Sequence, residues 1–588
     1  MEKRWIIKNQ GDPELVTALS GVLKIDRNLA NLLVQRGITT FEQARDFFRP
    51  SLKKLHDPFL MKDMDRAISR IESAIARKEK ILVYGDYDVD GTTAVALVYT
   101  FLKKRYQNVE FYVPDRYEEG YGISYQGIDF ACENNFGLVI ALDCGIKAVD
   151  KINYANERKL DFIICDHHRP GEKLPDAYAV LDPKRPDCTY PYKELSGCGV
   201  GFKLVQAFQQ KNKLPFDELK RYLDLVAVSI AADIVPVTGE NRILAHFGLK
   251  LINYDPRPGI ESILPFSNIK RKKVASKDGY SFTKQITVSD LVFLVGPRIN
   301  AAGRIESARN SVELLISEDI EEATEQAAQI NDLNTERRNL DAQITQEALE
   351  SIESDETQKE NKATVVYNPN WHKGVIGIVA SRLTEMYYRP TVVLTKSNGF
   401  ITGSARSVKD FDVYDAVDSC SDLLEHFGGH KYAAGLSMKP ENLEKFKQRF
   451  EEIVSSTIKD HMLVPEIEID AVLNLSEINA KFFRILRQFA PFGPGNLSPV
   501  FIAEELIDTG YARIVGNNHL KLNVIHRHIS SLPFPAIAFQ QGVHFRNISK
   551  GLPFNICYHL EENVWNGAVS LQLNVKDIQT DLPAGEED

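Results

Sequence analysis

The sequence predicts an α/β protein: a parallel-sheet domain, a long connecting helix, a smaller α/β domain and an oligonucleotide-binding-type β-barrel. Three observations carry this. Short apolar runs alternate with helical stretches from about residue 76 to 317 and again from 359 to 455. Residues 318–356 contain neither Gly nor Pro. Beyond 456, strand-like segments succeed one another with few helical signals.

At 588 residues the chain exceeds what one core supports, and several domains are expected. Residues 1–75 read as helical pieces, for example "NLANLLVQRGITTFEQARDFF", expected to pack on the domain that follows. Residues 76–317 hold the apolar runs "KILVYG", "VEFYVP", "GLVIALD" and "DFIICD", spaced as the strands of a parallel sheet covered on both faces. Residues 318–358 read as the connecting helix, since Ala323, Ala327, Ile330, Leu340, Ile344, Ala348 and Ile352 recur at three- or four-residue steps or multiples of them. In 359–455, "ATVVYN", "GVIGIVASRLTEMYY" and "PTVVLTKS" restore strand–helix alternation. Segments such as "PEIEIDAVLNL", "PAIAF" and "SLQLNVKDIQ" make 456–575 a small barrel, and 576–588 reads as an acidic, solvated tail.

Composition bounds the function loosely. No apolar run approaches the roughly 20 residues that span a bilayer, and "MEKRWIIKNQ" has no export signal. Seven scattered cysteines without a C-x-x-C pair indicate reduced thiols and a cytoplasmic protein. A net charge of −10 speaks weakly against a polyanionic partner, but a net figure does not exclude a local basic groove.

Three apolar runs end in acids: "ILVYGDYDVDG" in Asp86, Asp88 and Asp90, "LVIALDCG" in Asp143, and "FIICDHH" in Asp166, His167 and His168. Ligands of open parallel sheets bind outside the carboxyl ends of the strands, so these groups are expected in one crevice. Asp233 ends a further apolar run, "LVAVSIAADIVP", which periodicity alone leaves as helix or strand. Gathered carboxylates stay ionised only with positive charge among them. Oxygen ligands with one or two imidazoles suit two Mn²⁺ or Mg²⁺ ions, a pair suited to displacement at phosphorus. D-x-D-x-D-G could also begin a calcium loop, but the glutamate that loop needs is replaced by Leu97.

"GDYDVDGTTA" and "DHH" together resemble the DHH phosphoesterase family. "PDRYEEGYGIS", "SGCGVGFKL", "AADIVPVTGENR", "GPRINAAGR", "WHKGVIGIVASRL", "GSARS", "FGGHKYAAG" and "FAPFGPGNLSPVF" are similar to its RecJ-type exonuclease branch, in order along nearly the whole chain. The resemblance implies a DHH domain, a DHHA1 domain and an OB domain. It implies a 5′-to-3′ exonuclease of single-stranded DNA, active in repair and recombination. As metal ligands it implies Asp86, Asp88, Asp90, Asp143, His167 and Asp233, with Asp143 bridging. Asp166 would orient its neighbouring histidine, and His168 would lie by the scissile phosphate.

The remaining motifs supply strand contacts. Arg304, after small residues in "INAAGR", suits bidentate phosphate recognition, with Asn300 beside it. Gly374 near a helix start, Ser404, Arg406, and His430 on the Gly428–Gly429 backbone are expected to grip the strand. Arg116 is expected to bind the 5′ end, with Tyr121 stacking on a base or lying in the core. Arg513, His519 and Lys521 are barrel candidates for strand contact.

A monomer is expected, and the resemblance suggests a single-strand-binding protein and a helicase as partners. Some relatives carry a further C-terminal domain that this sequence is too short to hold, so contacts made through it are not expected. Three rival readings compete with this one. A DHH phosphodiesterase for short oligonucleotides or cyclic dinucleotides lacks the barrel. A pyrophosphatase of the superfamily has a histidine upstream, where Tyr84 and Gly85 stand here. A non-catalytic nucleic-acid-binding scaffold would have lost metal ligands, which all persist here.

Overall fold

The computed structural model describes residues 3–272, 281–528, 532–565 and 568–580. The chain divides into two compact units, Leu52–Leu463 and Met1–Ser51 with Val464–Asp588.

The first unit is built on a five-stranded parallel sheet of β1 (Lys80–Gly85), β2 (Val109–Tyr112), β3 (Phe136–Leu142), β4 (Asp161–Cys165) and β5 (Ala179–Leu181), ordered β2-β1-β3-β4-β5. Its strands are apolar throughout because both faces are covered. Ile81, Val83, Ile140, Leu142, Ile163 and Cys165 enter one core. They meet α1 (Val89–Lys103), α2 (Gly197–Lys211) and α3 (Leu223–Ala232) there. Leu82, Tyr84, Val139, Ala141, Phe162 and Ile164 enter a second core on the opposite face. This strict alternation sets which way each strand-end residue points. A helix, α4 (Gly296–Ile305), and a 34-residue helix, α5 (Ile320–Glu353), follow. The second sheet contains β6 (Thr364–Tyr367), β7 (Thr391–Ser397), β8 (Phe400–Arg406), β9 (His426–His430) and β10 (Ala433–Met438), ordered β9-β10-β8-β7-β6, with α6 (Ile376–Tyr387) on it. The run ending in Asp233 is helical, so that acid arrives from the C-terminus of α3 and not from a strand end.

The other unit closes a five-stranded barrel from β11 (Phe501–Asp508), β12 (His519–His526), β13 (Phe534–Ala538), β14 (Phe554–Trp565) and β15 (Ala568–Gln579), paired β11-β14-β15-β13-β12 and back to β11. The N-terminal expectation is corrected here. Residues 1–51 belong with the barrel and not with the parallel-sheet domain. Arg4–Ile7 pairs in parallel with Glu466–Ile469, and Val16, Leu29, Leu33 and Ala44 share a core with Phe482, Phe489 and Phe501. Within the expected 1–75 segment, only the part from Leu52 onward joins the parallel-sheet unit. An amphipathic helix must bury one face, but its own sequence does not say against what. The tail is corrected in part: strand β15 runs to Gln579, and residues 581–588 lie outside the described residues.

Candidate metal centre and strand-binding site

Strand alternation explains how the acids converge. Asp86, two residues beyond Tyr84, is buried, and its Oδ1 accepts the Gly122 N–H at 3.0 Å. Asp88 caps α1 by accepting the Gly91 N–H at 3.0 Å. Asp166 and His167 leave β4 towards opposite faces. Asp166 accepts the Ile146 N–H at 2.8 Å, and its other oxygen takes the His167 N–H at 2.7 Å and His168 Nδ1 at 2.8 Å. His167 Nε2 lies 3.1 Å from Asp143 Oδ1, 3.5 Å from Asp233 Oδ2 and 3.6 Å from Asp90 Oδ2. Asp143 itself sits in the left-handed region at φ 60°, a strained conformation for an aspartate that turns the chain sharply after β3.

These distances describe a cation site. Ligand atoms of Asp143, His167 and His168 all fall within 4.8 Å of one another, as do those of Asp90, His167 and Asp233. Asp86 Oδ2, Asp143 Oδ1 and both ring nitrogens of His167 are buried without a hydrogen-bond partner. Such buried polar atoms cost about 1–3 kcal/mol each unless something satisfies them. Burial and then Asp88 push the Asp86 carboxyl well up; burial and then Asp90 do the same to Asp143. Burial, Asp90 and Asp88 carry Asp233 up to about 8. The donor set, hard oxygens with one imidazole, fits two divalent cations of the Mn²⁺ or Mg²⁺ kind.

His168, which belongs to the first of these groups, is paired with Asp166. Burial lowers its pKa, but the hydrogen bond and charge of Asp166 outweigh that and raise it to about 9. Asp166, although buried, is held at about 2 by His168 and the Ile146 N–H. His168 Nε2 stands 3.2 Å from the Tyr121 hydroxyl, which also reaches the Asp143 carbonyl at 3.4 Å. Tyr121 is half exposed, so it is not a core residue, and it borders a 550 Å³ groove with Lys373, Phe400 and Gly428.

A second cluster is cationic. Arg304, at the end of α4, donates to the Gly374 carbonyl at 2.9 Å, while Tyr117 hydrogen-bonds the Arg304 carbonyl. Burial, then Arg116, Arg337 and Arg406, lower the Arg304 pKa to about 9. Arg116 lies over the Tyr87 ring at 4.7 Å. Arg406 donates to Ser404 Oγ at 2.9 Å, and a Cβ at Gly377 would stand 3.0 Å from that oxygen. Asn300 Oδ1, on α4, is buried without a partner. Several cations crowded together favour an anion among them. Gly374 is placed differently from expectation. The helix begins only at Ile376, after a turn closed by Val375 N–H on the His372 carbonyl, and the Gly374 N–H goes to His372 Nδ1 at 3.2 Å. Its role is steric: a Cβ there would collide with Tyr117 Oη and stand 2.6 Å from Arg304 O. Gly428, Gly429 and His430 form the exposed edge strand β9. Arg513, His519 and Lys521 belong to the barrel unit, where Arg513 and Lys521 face each other across two strands.

Sequence reasoning missed several partners. The N-terminus of α2 holds Asp90: Gly197 N–H donates to Oδ2 at 2.6 Å, Cys198 N–H to Oδ1 at 2.7 Å, and Ser229 Oγ to Oδ1 at 2.7 Å. "SGCG" carried the signal, an N-cap serine before glycines, but nothing local says which acid it meets. Asp182, following β5, is a further buried strand-end acid with an unpartnered Oδ2, raised by burial to about 7.

Strand ends, a second α/β domain and convergent acids define a metal-dependent phosphoesterase of the DHH class. The DHH family N-terminal domain model matches residues 80–230, the DHHA1 domain 360–456 and the RecJ OB domain 469–577. The chain is 38% identical over 577 residues to the single-stranded-DNA-specific exonuclease RecJ of Bacillus subtilis (strain 168), covering 98% of this chain and 70% of that one. It is 31% identical to the protein of that name from Escherichia coli (strain K12), over 94% and 95% of the two chains. The crystal structure of RecJ in complex with Mn²⁺ from Thermus thermophilus superimposes with a TM-score of 0.82 at 26% identity, covering 98% of this chain and 79% of that one. This chain belongs to the RecJ family.

Proposed function

We propose that the protein removes nucleotides one at a time from the 5′ end of single-stranded DNA by hydrolysing phosphodiester bonds, in repair and recombination. The observation that carries this is His167 Nε2 within 3.1–3.6 Å of three carboxylates from three different elements. Beside them stands the arginine cluster around Arg304, whose pKa is lowered first by burial and then by Arg116, Arg337 and Arg406.

Two divalent ions bound at Asp86, Asp88, Asp90, Asp143, His167 and Asp233 would supply a nucleophile at neutral pH and neutralise charge in an in-line displacement. The rest is performed by side chains. Arg116, Arg304, Ser404 and Arg406 hold the terminal 5′-phosphate, fixing the next phosphate over the metal cluster. His168, kept protonated and oriented by Asp166, faces that phosphate and stabilises its developing charge. Water adds to phosphorus, the P–O3′ bond breaks, and the leaving O3′ takes a proton. The released mononucleotide keeps its 5′-phosphate, and the shortened strand presents a new one to the same arginines. Tyr121 borders the groove where the base would lie, and Gly428, Gly429 and His430 would line the strand's path.

A monomer working in the cytoplasm, with a single-strand-binding protein and a helicase supplying substrate, is the setting we infer from the family. No helix among the described residues is long and apolar enough to cross a membrane, and all seven cysteines are free. The test uses 5′- and 3′-labelled single strands with Mn²⁺, Mg²⁺ or chelator, against duplex, pyrophosphate and cyclic dinucleotides. Mononucleotides appearing from the 5′ end of single strands alone are expected. Preferred hydrolysis of cyclic dinucleotides would sink the exonuclease reading.

A further inference from the structure

The three adjacent strands β3, β4 and β5 end alike. Each delivers an acid and then, within four residues, a cation: Asp143 then Lys147, Asp166 then Arg169, Asp182 then Lys184. The acids are buried, whereas Lys147 and Arg169 are exposed and Lys184 is half-buried. A Cβ at Gly171 would lie 3.8 Å from Lys147 Cγ, so the loops after β3 and β4 lie side by side. Lys184 Nζ stands 3.4 Å from Glu194. Among the described residues, no carboxylate forms an ion pair with Lys147 or Arg169. Across the groove, His430 on β9 loses pKa first to burial and then to Lys147, His168, Lys184 and Arg169, so all four charges bear on one imidazole of the second domain.

This cationic group shares no member with the one acting on Arg304, which consists of Arg116, Arg337 and Arg406. Their surroundings differ as well. The chain packs closely around the Arg304 cluster: a Cβ at Gly374 would stand 2.6 Å from Arg304 O, and one at Gly377 would stand 3.1 Å from Arg406 Nη2. Lys147 and Arg169 stand open to solvent, as a backbone that continues past the site requires.

We propose that Lys147, Arg169 and Lys184 form a phosphate rail for the strand on the 3′ side of the scissile bond, opposite His430. The rail rests on the exonuclease reading and extends it. A closely packed arginine site for the 5′ terminus and an open rail for the remainder give the substrate one orientation. The rail engages only substrates long enough to reach it, so it favours long strands over dinucleotides.

The test measures kcat/KM of the Mn²⁺-loaded full chain on 5′-phosphorylated oligothymidylate and on the 5′-phosphorylated dinucleotide, over a salt series. Each phosphate contact to a single strand contributes about 0.7 to the log–log salt slope. The triple variant Lys147→Ala, Arg169→Ala, Lys184→Ala should show a slope on the long strand shallower by about 2. Its preference for the long strand over the dinucleotide should fall roughly ten- to a hundredfold at physiological salt. The variant Lys147→Arg, Lys184→Arg should keep the wild-type slope, which a merely structural role for the lysines would not require. An unchanged slope and an unchanged length preference in the triple variant overturn the rail. A wild-type chain that cuts neither substrate overturns the exonuclease reading itself, and the two failures are therefore distinct.

Discussion

A Cβ placed on Gly197 would stand 2.6 Å from Asp143 Oδ1. Gly197 opens α2 and donates its N–H to Asp90 at 2.6 Å, so one residue touches two of the acids proposed to hold the ions. Alanine is intrinsically the better helix former by about 1 kcal/mol, so a loss on Gly197→Ala cannot come from propensity. The substitution should displace Asp143 and cut kcat roughly ten- to a hundredfold, with weaker Mn²⁺ affinity, as disturbed outer contacts of metal ligands do. Steady-state kinetics with a Mn²⁺ titration checks this, with circular dichroism confirming an intact fold. Full activity would mean the crowding is relieved without moving the carboxylate.

Asp143→Ala removes an oxygen that faces His167 and is buried without a hydrogen-bond partner. Loss of a group that acts on developing charge costs on the order of a hundred- to a thousandfold in kcat, and a carboxylate proposed to hold the ions should cost at least that. Strand binding, which we assign to separate arginines, should survive within a few-fold in a filter or anisotropy assay. Wild-type turnover in this variant would remove Asp143 from the centre.

Much of this site was legible because each strand-end acid follows an apolar run, a local pattern. Asp86, Asp143, Asp166 and His167 are found that way. The pattern fails where neighbours decide. "LVAVSIAAD" is apolar on every side, so nothing in it separates a buried helix from a buried strand, and only packing against α1 and α2 settles it. Asp90 reads as a metal ligand, yet its oxygens also hold the first turn of α2, a contact 107 residues away in sequence. The destination of residues 1–51 was unreadable for a related reason: the pairing of Arg4–Ile7 with Glu466–Ile469 is specified by two segments jointly.

Metal removal should expose the electrostatic cost of the cluster. Asp233 is raised to about 8 by burial, then by Asp90 and Asp88; Asp86, Asp88 and Asp143 are raised too. An acid raised on folding contributes stability that is complete below its ordinary value of 3.8 and is lost as pH climbs through its folded value. His168, raised to about 9, acts in the same direction, and His167, lowered chiefly by burial, opposes it. Chelated protein should therefore melt lower at pH 8 than at pH 5, and added Mn²⁺ should raise the Tm more at pH 8. Calorimetry decides; a chelated Tm that rises from pH 5 to 8 would contradict the cluster's charge balance.

Arg304→Lys keeps the charge but loses the planar fork that grips a phosphate with two parallel bonds. The expected result is a selective penalty on 5′-phosphorylated strands, with KM raised by about tenfold, the scale of one charge-assisted hydrogen bond. Strands ending in a 5′-hydroxyl should change less. Equal loss on both ends would place Arg304 elsewhere on the strand.

A last prediction concerns stability away from the metal centre. Lys203 and Glu240 are buried together, with Nζ 2.7 Å from Oε1, and Glu240 also accepts the Tyr190 hydroxyl at 2.6 Å and the His56 N–H at 2.8 Å. Lys203 in turn donates to the His56 carbonyl at 3.1 Å, so the pair ties α2 to the segment around residue 56. Breaking one side of such a pair strands a buried charge and costs about 3–5 kcal/mol. Replacing both sides removes the stranded charge, so the penalty does not add. Lys203→Met should therefore unfold at markedly lower denaturant, while Lys203→Met with Glu240→Gln should recover most of the loss. Equilibrium denaturation of the two variants separates this from simple packing loss, which would leave the double variant at least as unstable as the single one.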